Sequence, residues 1–194
     1  MSIKPPSLTP FLLVSALFWC ISVASSPASA MEWEHYGANL VLTGTIEPED
    51  GQGFTDLIAS EQFNNVQTVS IGESNGGSVL AAIDIGLAIH ARGWDTVVHG
   101  QCASACSIIA AGGQERWVAM GGSIGVHWVS FDTDAPLDPA TTARAVQELQ
   151  RGLWRYYNLV GVKAEAMAFL TLEAGDEIKY LSRNELKTLG WSVQ

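Results

Sequence analysis

Apolar positions along the chain form two kinds of segment, short runs rich in β-branched residues and longer stretches with helical spacing. Residues 66–71 (VQTVSI) and 94–100 (WDTVVHG) are typical of buried strands. Between them, residues 78–93 predict a helix that Ser78 can cap and Gly93 can end. Because strands without a clear polar face alternate with helices, the pattern predicts an α/β domain with a largely parallel, covered sheet.

The remaining segments continue this alternation, with no internal repeat and no linker within the folded part. Their order predicts strands at 39–45, 115–120 and 123–131, helices at 54–63, 105–113, 141–161 and 163–175, a polar loop at 46–53 and a turn at 101–104. A chain of 194 residues is long enough for a single domain with its own core.

The first part of the chain has the three features of a secretory signal peptide, which we expect to span residues 1–30. Lys4 lies in a short polar start, residues 11–24 form an apolar run, and the segment SSPASA ends in small side chains. The run is shorter than the about 20 residues that an ordinary transmembrane helix needs. We expect cleavage after Ala30, a folded domain over residues 31–194, and a periplasmic or secreted location. An uncleaved membrane anchor is the alternative.

Charge and composition exclude several classes of protein. The chain has 10 basic and 20 acidic residues, a formal net charge of −10, and the loss of Lys4 with the signal peptide would make it −11. Binding to nucleic acid or anionic lipid needs clustered Lys and Arg, so neither partner is expected. With 47% hydrophobic and 9% aromatic residues, the chain is not expected to be disordered.

Two cysteines remain after the predicted cleavage, because Cys20 lies in the signal peptide. Cys102 and Cys106 belong to the segment CASAC, and at the start of a helix their α-carbons could lie roughly 6 Å apart, near the upper limit for a disulfide. An oxidising compartment favours pairing, and two buried small hydrophobic residues are the alternative. The spacing is not typical of a metal site, and no metal is expected.

Two turns between predicted strands and helices carry residues suited to catalysis. The Gly-Gly turn, ESNGGSV at residues 73–79, contains Gly76 and Gly77, whose backbone can approach another group closely and leave amides available. In GQCASACS, Ser104 lies between small residues at the positive end of a predicted helix, where a serine is either a cap or a nucleophile. The amides of Ala105 and of the Gly-Gly turn could together hold a developing oxyanion.

A nucleophilic serine needs a base, and two histidines are candidates. On the predicted strand, His127 points to the opposite face from its large apolar neighbours Ile124 and Val126. A lone strand histidine is more often a hydrogen-bonded structural group, so its candidacy depends on Ser104 and the Gly-Gly turn. His99 competes as the base, although a structural role is expected for it.

The order of these motifs resembles the ClpP/crotonase superfamily, and more closely the secreted ClpP-like proteins of bacteria. NGGSV, GQCASACS and an apolar strand with VH resemble the Pro-Gly-Gly turn, the GQAASMG nucleophile turn and the IHQ strand of ClpP. The resemblance covers about residues 40–193. It implies a stack of ββα units with a protruding handle helix at 141–161, and an assembly of several copies of the chain.

The resemblance also implies a role for each matching residue. Ser104 falls on the nucleophile and His127 on the general base. Gly77 and Ala105 fall on the two oxyanion-hole donors.

The sequence departs from the family pattern in three places. The family's acid falls on Ile178 in an ungapped comparison, so Asp176 is the expected acid, with Glu177 behind it. If neither carboxylate reaches His127, the site is a Ser-His dyad or is inactive. Asn75 replaces the proline ahead of the two glycines, which should change that turn only slightly. The two cysteines flank the nucleophile, where a disulfide would stiffen the turn or respond to redox conditions.

Together these observations predict a secreted serine hydrolase, most simply a peptidase acting on small or unfolded peptides, with no cofactor. The rival prediction is a catalytically inactive ClpP-like module that binds peptides or takes part in assembly. A crotonase-like enzyme acting on acyl-CoA would use the same oxyanion arrangement. Secretion away from CoA and the Ser-His pair count against it.

Overall fold

The computed structural model describes residues 30–128 and 138–194; the predicted signal peptide, apart from Ala30, lies outside the described residues. The strands within these ranges are β1 (Glu32–Tyr36), β2 (Asn39–Thr43), β3 (Thr68–Ile71), β4 (Asp95–Val98), β5 (Gln101–Ala103), β6 (Arg116–Val118), β7 (Ser123–Val126), β8 (Lys179–Tyr180) and β9 (Ser192–Val193). The helices are α1 (Asp50–Ile58), α2 (Val79–Arg92), α3 (Ala105–Ala111), α4 (Pro139–Leu159), α5 (Ala164–Ala174) and α6 (Arg183–Leu189), with a 3₁₀ turn at Glu61–Phe63. None of the described helices is long and apolar enough to cross a membrane.

The main sheet has six strands in the order β1-β2-β3-β4-β6-β9. β1 and β2 form an antiparallel hairpin, and every other neighbouring pair in this sheet is parallel. A smaller sheet contains β5, β7 and β8, in which β5 is parallel to β7 and β7 is antiparallel to β8. The predicted α/β fold with a largely parallel sheet is therefore confirmed.

Helix α2 begins and ends where the sequence predicts. The hydroxyl of Ser78 accepts a hydrogen bond from the amide of Ala81 (3.3 Å), and Gly93 adopts the left-handed conformation that ends the helix (φ 67°). Ile85 and Ile89 on this helix are completely buried in the core. Burying each such side chain stabilises the fold by about 1.5–3 kcal/mol, so packing contributes more than the cap to the stability of α2.

Helix α1 begins at Asp50, inside the predicted polar loop 46–53, so the end of that loop prediction was wrong. The glycines in this segment suggested a turn, but Gly51 lies at a helix crossing. A Cβ added there would be 3.1 Å from the Cα of Ala81 and 3.1 Å from the Cβ of Asp84. The glycine therefore permits close packing of α1 on α2 and does not break the helix.

Strand pairing explains three further differences from the sequence prediction. β1 follows Ala30 in a segment where no element was predicted, and it forms a hairpin with β2. Residues 101–103 form strand β5 instead of part of a turn, because they pair with β7. β7 ends at Val126, so His127 follows the strand instead of lying within it. Residues 129–131 of that predicted strand lie outside the described part.

Helix α4 packs beside α3 through a hydrogen bond, and a glycine in α2 leaves room for it. Asp138 caps the first turn of α4, accepting hydrogen bonds from the amides at 140 and 141. The Tyr156 hydroxyl donates to the carbonyl oxygen of Ile108 (2.6 Å). Gly86 leaves the necessary space, because a Cβ there would be 2.1 Å from the Tyr156 oxygen. The contact places α4 next to the helix that begins after Ser104.

Candidate active site

Ser104 lies in a sharp turn between β5 and α3, and its backbone is unusual. Its φ of 56° and ψ of −128° make it the one non-glycine residue with positive φ in the described ranges. Such a conformation is costly for a residue with a Cβ and persists only where its surroundings fix it. A strained strand-to-helix turn that presents a serine hydroxyl is the arrangement of a nucleophile elbow.

Hydrogen bonds hold both sides of the Ser104 peptide. The Ser104 amide donates to the carbonyl oxygen of Gly125 on β7 (2.9 Å). The Ser104 carbonyl oxygen accepts from the Ser107 amide (2.9 Å) and from the Ser107 hydroxyl (2.7 Å). Ser107 is buried near Tyr157, which is also buried, and burial raises the pKa of the Tyr157 hydroxyl. The sequence prediction did not include Ser107. Its position one helical turn after Ser104 could have indicated that the two residues are in contact.

His127 is brought to Ser104 by the pairing of β5 with β7. These strands are parallel, and Ala103 is in register with Gly125, so the residues that follow leave the sheet at the same edge. The distance from His127 Nε2 to Ser104 Oγ is 2.6 Å. With the proton of a neutral ring on Nδ1, Nε2 can accept the serine proton. His99, the competing candidate, is exposed and forms no hydrogen bond with Ser104.

The Gly-Gly turn lies directly against Ser104. A Cβ added to Gly76 would be 2.7 Å from the Cβ of Ser104 and 2.9 Å from the amide nitrogen of Ala105. At Gly77 (φ 138°) a Cβ would be 2.1 Å from the carbonyl oxygen of Ile46. No hydrogen bond to another described group occupies the Gly77 and Ala105 amides. Both residues belong to the walls of the same open groove as Ser104.

A second serine, which the sequence prediction did not single out, supports the Gly-Gly turn. Ser74 is buried, and its hydroxyl accepts a hydrogen bond from the Gly76 amide (3.3 Å). Its carbonyl oxygen accepts from the Ala103 amide (2.9 Å), and its amide donates to the carbonyl oxygen of Gln101 (2.8 Å). The Gly-Gly turn and the chain leading to Ser104 are therefore joined into one unit.

The structure places the two candidate carboxylates in an exposed turn after α5, and no hydrogen bond joins Asp176 or Glu177 to His127. The main chain of this turn is nevertheless close, because the Trp128 amide donates to the carbonyl oxygen of Gly175 (2.6 Å). Val126 is in register with Lys179 on β8, and the pairing of the two strands ends there, before His127. The acid role of Asp176 stays a prediction.

Cys102 on β5 and Cys106 on α3 form a disulfide that encloses Ser104 and Ala105, with α-carbons 5.2 Å apart. Both residues are buried. In the described ranges, no group of three or more His, Cys, Asp or Glu side chains could hold a metal ion.

An open groove of about 1180 Å³ runs over the serine and the histidine. Its walls come from the starts of α2 and α3 and from the facing sides of α4 and α5, and most of its side chains are apolar, among them Leu80, Leu153 and Met167. Glu47 and Glu148 are the only carboxylates among the described lining residues. The arrangement can hold an extended chain with an apolar surface across the hydroxyl of Ser104.

Comparisons with known proteins support the fold. Neither a protein-family model nor a curated protein matches the sequence. Among solved structures, a mutant of ClpP1 from Listeria monocytogenes superposes with a TM-score of 0.58 at 18% sequence identity. The match covers 79% of this chain and 88% of that one. At this level of identity the likeness concerns the fold alone, and the chain has a ClpP-like α/β fold.

Proposed function

We propose that this chain is a serine hydrolase, and specifically a peptidase. The observation that carries the proposal is the 2.6 Å distance between Ser104 Oγ and His127 Nε2, at a strained turn beside two available amides. The fold has no evident structural need for a serine with a strained backbone that also lies within hydrogen-bond distance of a histidine. They are what an activated nucleophile requires.

The proposed reaction proceeds through an acyl-enzyme. His127 Nε2 takes the proton of Ser104 as its oxygen attacks the substrate carbonyl carbon, and the carbonyl oxygen becomes an oxyanion. The Gly77 and Ala105 amides donate to that oxyanion; losing one such donor costs about 3 kcal/mol of transition-state stabilisation. His127 then gives its proton to the leaving amine. Water then gives a proton to His127 and attacks the acyl carbon. The ester bond to Ser104 Oγ breaks, the acid product leaves, and His127 returns the proton to Oγ.

The groove suggests the kind of substrate. Its apolar walls on α4 and α5 favour extended peptides with apolar side chains. The reaction needs no metal or nucleotide. We therefore propose small or unfolded peptides as substrates.

Location and assembly are part of the same proposal. A signal peptide over residues 1–30 would deliver the domain to the periplasm or the outside of the cell, where a Cys102–Cys106 disulfide persists. By analogy with the family that the sequence resembles, we propose that copies of the chain form a homo-oligomer.

The test is labelling of the domain 31–194 with a fluorophosphonate probe, which reacts with activated serines. We expect labelling of the wild type, none of Ser104→Ala, and strongly reduced labelling of His127→Ala. His99→Ala is the matched control, because it removes an exposed histidine on a neighbouring strand end, and it should label like the wild type. Folded wild-type protein that never labels would refute the proposal.

Two further variants, Asp176→Asn and Glu177→Gln, test whether either candidate carboxylate completes a triad. Asp176→Asn removes the charge of the expected acid and changes little else, because its side chain is exposed. Labelling that falls by about 10³-fold or more would assign Asp176 as the acid that orients His127. Labelling at the wild-type rate in both Asp176→Asn and Glu177→Gln would exclude the two candidate acids and favour a Ser104–His127 dyad.

A second candidate function, an inactive peptide-binding module, is favoured by one observation, the lack of a hydrogen bond between His127 and either nearby carboxylate in the described part of the chain. The groove would then bind peptides without cleaving them. Equal peptide affinity in wild type and Ser104→Ala, together with no turnover and no labelling, is the result expected for this alternative.

A further inference from the structure

The disulfide closes a very short loop, so it contributes less to global stability than a disulfide that closes a long one. A disulfide stabilises a fold chiefly by restricting the unfolded chain, and the effect grows with the length of the loop that it closes. Cys102 and Cys106 are separated by only four positions in the sequence, so the loop is very short. Its main effect must be local, on the residues between the two cysteines.

The residue at the centre of this short loop is the strained one. Ser104 keeps its positive φ only if the chain on both sides is fixed. The hydrogen bonds to Gly125 and Ser107 hold the Ser104 peptide groups, but neither of them joins the end of β5 directly to the start of α3. The disulfide joins these two segments, with the α-carbons 5.2 Å apart.

Relaxation of this turn would disturb two catalytic groups at once. A rotation of Ser104 to negative φ would swing Oγ away from Nε2 of His127, which now lies 2.6 Å away. The same rotation would turn the peptide plane that carries the Ala105 amide. The nucleophile and one oxyanion donor therefore depend on one backbone conformation.

We propose that the Cys102–Cys106 disulfide is a positioning element of the active site, which holds Ser104 Oγ against His127 and aims the Ala105 amide. The inference rests on the proposed function for its catalytic consequence, but the geometry that it predicts can be measured without turnover. Both cysteines are almost completely inaccessible, at 0% and 1% exposure, so an attacking thiolate cannot reach the disulfide in the folded protein. The disulfide therefore stays oxidised in the folded protein, and mild reductant should leave the folded protein unchanged.

The first test reads the Ser104–His127 hydrogen bond by NMR, with ¹⁵N-labelled histidine in the domain 31–194. The variants are Cys102→Ala/Cys106→Ala, Ser104→Ala as the reference without the hydrogen bond, and Ile109→Val as the control. Ile109 is buried on the same helix, beyond the disulfide, so its truncation loosens the core without touching the turn.

We expect the ¹⁵N signals of the His127 ring in the double cysteine variant to move to those of Ser104→Ala. Ile109→Val should keep the wild-type signals. Wild-type His127 signals in the double cysteine variant would overturn the proposal, because the turn would then hold its geometry without the disulfide.

The second test measures the rate of fluorophosphonate labelling in the same proteins. The double cysteine variant should label at least about ten-fold more slowly than wild type, while Ile109→Val should label at the wild-type rate. Equal labelling rates would overturn the inference. If wild type does not label at all, the proposed function fails, and the NMR comparison still decides whether the disulfide positions Ser104.

Folding of the double variant is checked by circular dichroism before either test. Should it not fold, wild-type protein refolded under reductant replaces it, because this form differs from the native protein only by two hydrogen atoms. If the reduced form also fails to fold, the disulfide is a requirement for folding and the positioning proposal is wrong.

Discussion

Two adjacent glycines beside Ser104 are required for different reasons. Gly76 gives room to the serine itself, because any Cβ there would collide with Ser104, Ala103 and Ala105. Gly77 gives room to Ile46, which crosses the start of α2. Both also have positive φ, which disfavours any other residue. At the scale of single residues, the site therefore needs the space left by the two glycines as much as it needs the side chains of Ser104 and His127.

Gly76→Ala is therefore expected to damage the site and the fold together. The new Cβ would be 2.7 Å from Ser104 Cβ at a φ of 96°, so we expect a loss of more than about 1 kcal/mol in the free energy of unfolding. Fluorophosphonate labelling should fall strongly. Gly53→Ala is the control: it lies in α1 with open space around it and should raise stability by about 0.5–1 kcal/mol without changing labelling. Normal labelling of Gly76→Ala would contradict the expectation.

At the scale of elements, the short strand β8 pairs with β7, the strand that leads to His127. Lys179 on β8 is in register with Val126, the residue before His127. Its ammonium forms ion pairs with Glu173 at the end of α5 and with Glu185 in the first turn of α6. These ion pairs link β8, α5 and α6 through exposed or half-exposed charges.

This ion pair predicts an acid-dependent stability. Hydrogen bonding to Lys179, and then to the Ser182 amide, lowers the pKa of the Glu185 carboxyl from its ordinary value of 4.5 to about 2. Because the folded pKa is the lower one, the ionised carboxylate stabilises the fold fully above pH 4.5, and this contribution is lost as the pH falls to about 2. The thermal midpoint of Glu185→Gln should therefore lie below that of wild type near neutral pH, and the gap should close near pH 2.

The control for this measurement is Glu165→Gln, on the first turn of α5. Glu165 forms no ion pair with another described residue, so its midpoint should stay parallel to that of wild type across the same pH range. A gap for Glu185→Gln that does not change with pH would contradict the assigned cause.

At the scale of the whole molecule, helices α4 and α5 present apolar side chains to solvent. Trp154, Leu159, Phe169 and Leu172 are between 42% and 65% exposed. Exposed apolar patches of this kind are typical of interaction surfaces. They accord with the proposed homo-oligomer, although the groove also uses part of this surface.

We expect the domain 31–194 to sediment as an oligomer in analytical ultracentrifugation. Leu159→Asp and Phe169→Asp place a charge in the proposed interface and should shift the distribution to smaller species. Gln147→Asp, an exposed polar position on the same α4 helix, should leave it unchanged. Sedimentation of wild type as a monomer at all concentrations would refute the assembly proposal.

Local patterns in the sequence were enough to predict most elements and the fold class. The cap at Ser78, the stop at Gly93 and the buried strand β3 depend on neighbouring residues, so a short window contains the necessary information. Where a residue's purpose lay in a distant contact, the local pattern misled: Gly51 looked like part of a loop and in fact permits a helix crossing.

The sequence by itself determined which chemical groups are available: a serine between small residues, two glycines ahead of a helix, a histidine after an apolar strand, and two cysteines around the serine. Only the tertiary structure decided their distances, because the pairing of β5 with β7 brings together Ser104 and His127, which are 23 positions apart. The same packing left Asp176 exposed in the turn between α5 and β8, with no hydrogen bond to His127. Side-chain identity is local, whereas the geometry of the site is set by non-local strand register.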